Sequence, residues 1–146
     1  MADDPNPAMQ ALDRFVGVWN TTGRIAAIGD APGGELIATD TYEWLAGRHY
    51  LLHWVDARLN GQPSRSLEVI GFDPGRGVCM SRSYDDQGQT GDYTCALTGD
   101  AWTITGDTIR FSGRFAPDGS SMAGTWQMQD GQGEWRDWMD IVLNRA

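Results

Sequence analysis

The apolar positions of this chain change period once. Met9, Leu12 and Phe15 recur near helical spacing, and Pro7 suits the first turn of a helix, so the pattern predicts one short helix ending at Phe15. Beyond it, runs rich in β-branched and aromatic residues alternate with turn sequences. The runs are 16–28, 35–46, 48–57, 64–73, 77–85, 90–98, 101–105, 108–116, 121–129 and 134–144. They predict about ten strands. The separators are too short for crossover helices, so neighbours should pair antiparallel. Asn60-Gly61 fits a type I′ hairpin, and Gly99-Asp100 and Gly106-Asp107 fit tight two-residue hairpins. Asp73-Pro74-Gly75 and Pro117-Asp118-Gly119 are further turn sequences. A meander of this length removes its exposed edges by closing on itself. The expected fold is therefore all-β, a closed antiparallel up-and-down barrel of about 8–10 strands with a short N-terminal helix. Residues 1–7 read as a disordered tail and 8–146 as one domain.

Turns set register, and register decides which side chains face in. A Gly106-Asp107 turn places Ile104 opposite Ile109 and Trp102 opposite Phe111. A Gly99-Asp100 turn places Leu97 opposite Trp102 and Cys95 opposite Ile104. A turn centred on Gln87 sets Cys79 opposite Cys95 and Ser81 opposite Tyr93. A turn centred on Gly75 sets Val69 beside Ser81, and Asn60-Gly61 brings Leu52 to Val69 and Trp54 to Leu67. Phe111 then faces Trp126, Phe115 faces Met122, and the last turn brings Trp135 and Met139 to the same side. One face collects Tyr50, Leu52, Trp54, Leu67, Val69, Tyr93, Trp102, Phe111 and Trp126; the other collects Glu68, Arg82, Asp92, Arg110 and Gln127. A turn at Ala46-Gly47 can be counted two ways, so either Tyr42 and Trp44 or Thr41 and Glu43 face in.

Composition adds limits. Hydrophobic residues make up 40% of the chain, which is enough for a globular core. The formal charge of −9 repels polyanions and anionic membrane surfaces, so neither nucleic acid nor membrane is an expected partner. The acidic N-terminus has no apolar signal segment, which points to the cytoplasm. Seven tryptophans can fill a core or line a site.

Chemical candidates are few. His49 and His53 lie two apart, a chelating spacing, but the register puts both on the outer face as surface histidines. Glu68 and Arg82 come out opposite each other there, as a surface ion pair. Cys79 and Cys95 read as small buried hydrophobes rather than a redox pair. The interior offers Tyr50, Ser81, Ser83, Tyr93 and Asp137 as polar points among aromatics. Neither a metal site nor a cofactor motif is expected, and no nucleophile elbow, P-loop or dinucleotide fingerprint is present.

The segment Leu12-Asp13-Arg14-Phe15-Val16-Gly17-Val18-Trp19, a helix running into Gly-x-Trp at the first strand, resembles the calycins, the lipocalins and fatty-acid-binding proteins. With Glu43-Trp44-Leu45-Ala46-Gly47-Arg48, Val69-Ile70-Gly71-Phe72-Asp73 and Trp138-Met139-Asp140-Ile141, the chain looks like a bacterial calycin-like family catalogued only as a domain of unknown function. The resemblance implies a closed barrel of eight to ten strands holding a small hydrophobic ligand, and no established activity. Related nitrobindin-type barrels bind haem through a histidine near the C-terminus; here no histidine follows His53. Fatty-acid-binding proteins hold a carboxylate with inward arginines, whereas Arg82, Arg110 and Arg114 are expected to face solvent. The expected function is binding of a small hydrophobic or aromatic molecule inside the barrel by Tyr42, Trp44, Tyr50, Trp54, Ser81, Tyr93, Trp102, Phe111, Trp126, Asp137 and Met139. Two other readings stay open: an isomerase or cyclase using interior Tyr93 or Asp137 for proton transfer, and an interaction module with a solid barrel.

Overall fold

The computed structural model describes residues 6–146. Of the expected tail, residues 1–5 lie outside the described residues. Asn6 accepts a hydrogen bond from the Ala8 N–H at 2.9 Å and so caps helix α1, Pro7–Gln10, with Pro7 in its first turn. A 3-10 turn, Ala11–Phe15, continues it.

Ten strands follow: β1 Gly17–Ile25, β2 Gly34–Trp44, β3 Leu51–Leu59, β4 Gln62–Asp73, β5 Val78–Asp85, β6 Thr90–Thr98, β7 Ala101–Thr105, β8 Ile109–Phe115, β9 Ser121–Gln129 and β10 Trp135–Arg145. Each pairs antiparallel with its sequence neighbour, and β1 pairs with β10 to close the barrel. The fold is thus the closed up-and-down barrel that the turn chemistry predicts.

The helix plugs one end. Met9, Leu12 and Phe15 point into the barrel, each 1% exposed, and Phe15 packs its ring on Tyr42, Trp102 and Phe115, each at 4.9 Å. Trp19 fixes the plug to the first strand: its indole N–H donates to the Phe15 carbonyl at 2.8 Å, and the Arg145 guanidinium lies 4.2 Å over its ring. Gly17 has φ 129°, and a Cβ there would lie 3.1 Å from that same guanidinium. This is why Gly17 precedes Trp19 by two.

The registers of four predicted hairpins hold. The pairs Cys79–Cys95, Ser81–Tyr93, Leu97–Trp102, Trp54–Leu67 and Phe111–Trp126 form as expected. At the Gly106-Asp107 turn, Ile104 pairs with Phe111 rather than Ile109. The slip is two residues, so no side chain changes face.

The β4–β5 turn differs by one residue, and one residue reverses a face. Asp73 pairs with Val78 across a four-residue loop, so Ile70, not Val69, faces Ser81. Asp73 builds this loop: its carboxylate accepts from the Gly75 and Arg76 N–H groups at 3.0 and 3.3 Å, and its carbonyl accepts from Gly77 N–H at 2.8 Å. Gly77 takes the left-handed conformation, φ 67°, that closes the loop. The correctly placed Asn60-Gly61 hairpin then carries the reversal into β3. Tyr50, Leu52, Trp54, Leu67 and Val69 therefore stand on the outer wall, with Trp54 and Tyr50 46% and 44% exposed. His53 and Glu68, expected outside, stand inside. Glu68 lies opposite Ser83 rather than Arg82, and Arg82 reaches Asp92 at 3.7 Å on the outer wall.

A second correction comes from β10. Trp138 is an extra residue between Asp137, paired with Gln127, and Met139, paired with Trp126. The bulge turns Trp138 and Met139 inward, while Asp137 and Trp135 face out. The outer Gln127 donates to Asp137 at 2.8 Å, and the outer Arg110 covers the Trp135 ring at 4.0 Å.

Candidate functional site

Ten strands enclose more space than side chains alone fill. The plug fills the helix end. The other half of the barrel holds a cavity of about 350 Å³. Its apolar wall comes from Leu36, Ala38, Val55, Ala57 and Leu59 on one side and Ile104, Phe111, Trp126, Trp138 and Met139 on the other. Trp102 and Met122 separate it from the plugged end.

Polar groups converge on one side of this cavity, on β2, β3 and β4. His53 lies between two carboxylates: Nδ1 is 2.8 Å from Glu68 Oε1 and Nε2 is 2.7 Å from Asp40 Oδ1. The Thr21 hydroxyl donates to Asp40 Oδ2 at 2.5 Å. Tyr42 stacks on the imidazole with centroids 4.0 Å apart and planes 8° from parallel. The side chains of His53, Glu68 and Asp40 are 13%, 13% and 9% exposed.

The local strand order brings these groups together. Tyr42 pairs with His53, which pairs with Glu68, so three adjacent strands present them in one row. Asp40 follows two residues before Tyr42 on the same face. The alternatives at the second strand are settled by that pairing: Tyr42 faces in and Glu43 faces out, where it accepts from Trp54 Nε1 at 3.0 Å.

Burial alone would lower the pKa of His53. Hydrogen bonds and charge attraction from Asp40 and Glu68 outweigh it and push its pKa up to about 9. With both ring nitrogens committed, the imidazolium is a fixed part of the wall. Tyr42 is pushed well above the ordinary phenol value, first by burial and then by the negative charges of Asp40 and Glu68. Its hydroxyl makes no hydrogen bond among the described residues, and the residue is 6% exposed.

Of the residues expected at the site, Tyr42, Trp102, Phe111, Trp126 and Met139 line the cavity. Ser81, Tyr93 and Trp44 face in but lie off it. Ser81 is buried with its hydroxyl unpartnered, Tyr93 packs against Gly91 and Gly106, and Trp44 donates to Asp13 beside the helix at 2.8 Å. Tyr50, Trp54 and Asp137 are outside, because of the Asp73 loop and the β10 bulge. An acid at Asp137 is therefore in solvent rather than among aromatics. Cys79 and Cys95 are free thiols facing each other at Sγ···Sγ 2.9 Å. Among the described residues, no group of three or more His, Cys, Asp or Glu side chains is arranged to hold a metal ion, and no helix is long and apolar enough to cross a membrane.

A closed ten-stranded barrel, plugged by an N-terminal helix whose end is tied to a Gly-x-Trp strand, defines a calycin-like protein. The chain belongs to the family described as protein of unknown function (DUF1579), whose profile matches residues 4–145. The crystal structure of Rv2717c from M. tuberculosis is similar in fold, with a TM-score of 0.72 at 19% identity over 98% of this chain and 99% of that one. Zebrafish ileal bile acid-binding protein complexed with cholic acid is similar at a TM-score of 0.51 and 11% identity, over 91% of this chain and 99% of that one. No curated protein matches the chain in sequence.

Proposed function

We propose that this barrel binds one small hydrophobic or aromatic molecule in the half away from the helix. The observation that carries the reading is the cavity itself: about 350 Å³, walled by three tryptophans and aliphatic side chains, with polar groups gathered on a single side. That size and that mixture are those of small-molecule sites, where apolar walls supply affinity and a few polar groups orient the ligand. The bile acid carried by the zebrafish protein of similar fold supports ligand binding in general. Commitment of both His53 nitrogens supports recognition over proton transfer, since a general base needs a free lone pair.

A neutral, environment-sensitive dye, N-phenylnaphthylamine, tests this. Titration should give a saturable rise in dye fluorescence and quench Trp102, Trp126 and Trp138, which line the cavity. Ala57→Phe, which fills the cavity from β3, should abolish both signals while circular dichroism stays that of the barrel. Absence of saturable binding to the parent protein overturns the proposal.

A further inference from the structure

The polar side of the cavity carries a definite charge pattern, and it narrows the ligand. All eleven basic side chains of this chain are arginines, and none lines the cavity. The groups that do face it can be counted strand by strand. β1 offers Thr21, β2 Asp40 and Tyr42, β3 His53, and β4 Ser64, Ser66 and Glu68; β7, β8, β9 and β10 offer no ionisable side chain. One imidazolium between two carboxylates leaves a net charge of about −1 on a wall screened from water.

The hydrogen-bonding capacity is equally one-sided. Asp40 spends both oxygens, on His53 and Thr21, and Glu68 spends Oε1 on His53. Glu68 Oε2 makes no hydrogen bond among the described residues. It is the charged acceptor left for a ligand, and Tyr42, on the other side of His53 in the same row, adds an unpartnered hydroxyl. No charged donor remains, because both His53 nitrogens are engaged. The same cavity is lined by Trp102, Trp126 and Phe111, aromatic rings of the kind that attract cations.

Resting on the binding reading above, we infer that the ligand is a hydrophobic or aromatic amine whose protonated nitrogen pairs with Glu68, and that the barrel rejects carboxylates. The whole-chain charge of −9 acts in the same sense on approach.

Three probes of one skeleton separate this inference from the binding reading: naphthylmethylamine, naphthylmethanol and naphthoic acid, titrated by calorimetry at neutral pH. The amine should bind at least about tenfold tighter than the alcohol, and the acid more weakly than the alcohol. Glu68→Gln should bring the amine-to-alcohol ratio to within about threefold of one. An acid that binds tightest, or an amine no better than the alcohol, overturns the inference and leaves the binding reading standing. If none of the three binds, the binding reading fails as well. The ranking on the parent protein decides the matter even if Glu68→Gln does not fold.

Discussion

The two halves of this barrel are enclosed by the same ten strands but use their interior differently. At the helix end, Met9, Leu12, Phe15 and Trp19 are each 1% exposed, and Leu51 and Ile70 are completely buried. At the far end, Val55, Leu59, Trp138 and Met139 also point inward, yet each stays half-exposed because a cavity lies in front of it. The strands cannot fill a ten-stranded barrel alone. Nine residues of helix and 3-10 turn, Pro7–Phe15, supply the missing atoms at one end and stop there. Packing density is thus a local property, and the Asp40–His53–Glu68 row lies against the hollow side of the boundary.

The largest expected effect is at the plugged end. Leu51 is 0% exposed among Phe15, Tyr42 and Ile70 in one core cluster. Leu51→Ala removes buried methyls where neighbours cannot collapse, and should cost about 3–5 kcal/mol. Urea denaturation followed by tryptophan emission measures it. A cost below about 1 kcal/mol would mean that this end is not close-packed.

The boundary row should show itself in pH dependence. The folded pKa of His53 is raised to about 9, so the folded state binds its proton more tightly than the unfolded chain does. The resulting stabilisation is full below the ordinary histidine value of about 6.5 and disappears as pH rises through about 9. Its ceiling is about 3 kcal/mol. The difference in unfolding free energy between the parent and His53→Gln should shrink over that window, which cancels titrations common to both proteins. A difference that stays constant from pH 6 to pH 10 would remove His53 from the role of a charged strut.

The two halves were also unequally readable in the sequence. Every one of the ten runs corresponds to a strand, because hairpin turns and alternation are local signals. The plug was readable too, from Met9, Leu12 and Phe15 at helical spacing. The polar side of the cavity was not. Over residues 52–54 of β3 and 64–69 of β4 the usual sorting is inverted: Leu52, Trp54, Leu67 and Val69 face out, while His53, Ser64, Ser66 and Glu68 face in. Hydrophobicity therefore argued for the wrong face, and the one-residue ambiguity of the Asp73 loop let it win. A signal did exist. Asp73 can bond the backbone two and three residues on, and Gly77 is placed to close a four-residue loop with φ above zero. The inversion puts polar groups against the cavity, as the proposed binding of an oriented ligand requires, against the ordinary rule. Asp137 failed for a different reason. The bulge at Trp138 is set by pairing across β9 and by the Ala26 N–H, which donates to the Trp138 carbonyl at 2.7 Å, and neither is local in sequence.

The smallest effect gives the sharpest test of the two-halves picture. Leu59 ends β3, the strand that Leu51 begins, and both face inward. Leu59 lines the cavity and is half-exposed, so part of its surface is already without partners. Leu59→Ala enlarges an existing space rather than opening a new one, and should cost about 1 kcal/mol, well below Leu51→Ala. The two substitutions delete the same atoms from one strand, so composition and strand propensity cancel in the comparison. What remains is whether neighbouring atoms stood against the side chain. Equal costs at the two positions would mean that side chains or a tightly held molecule fill the far half in solution. A saturating apolar ligand should then raise the cost of Leu59→Ala toward that of Leu51→Ala, because it supplies the partners the empty cavity withholds.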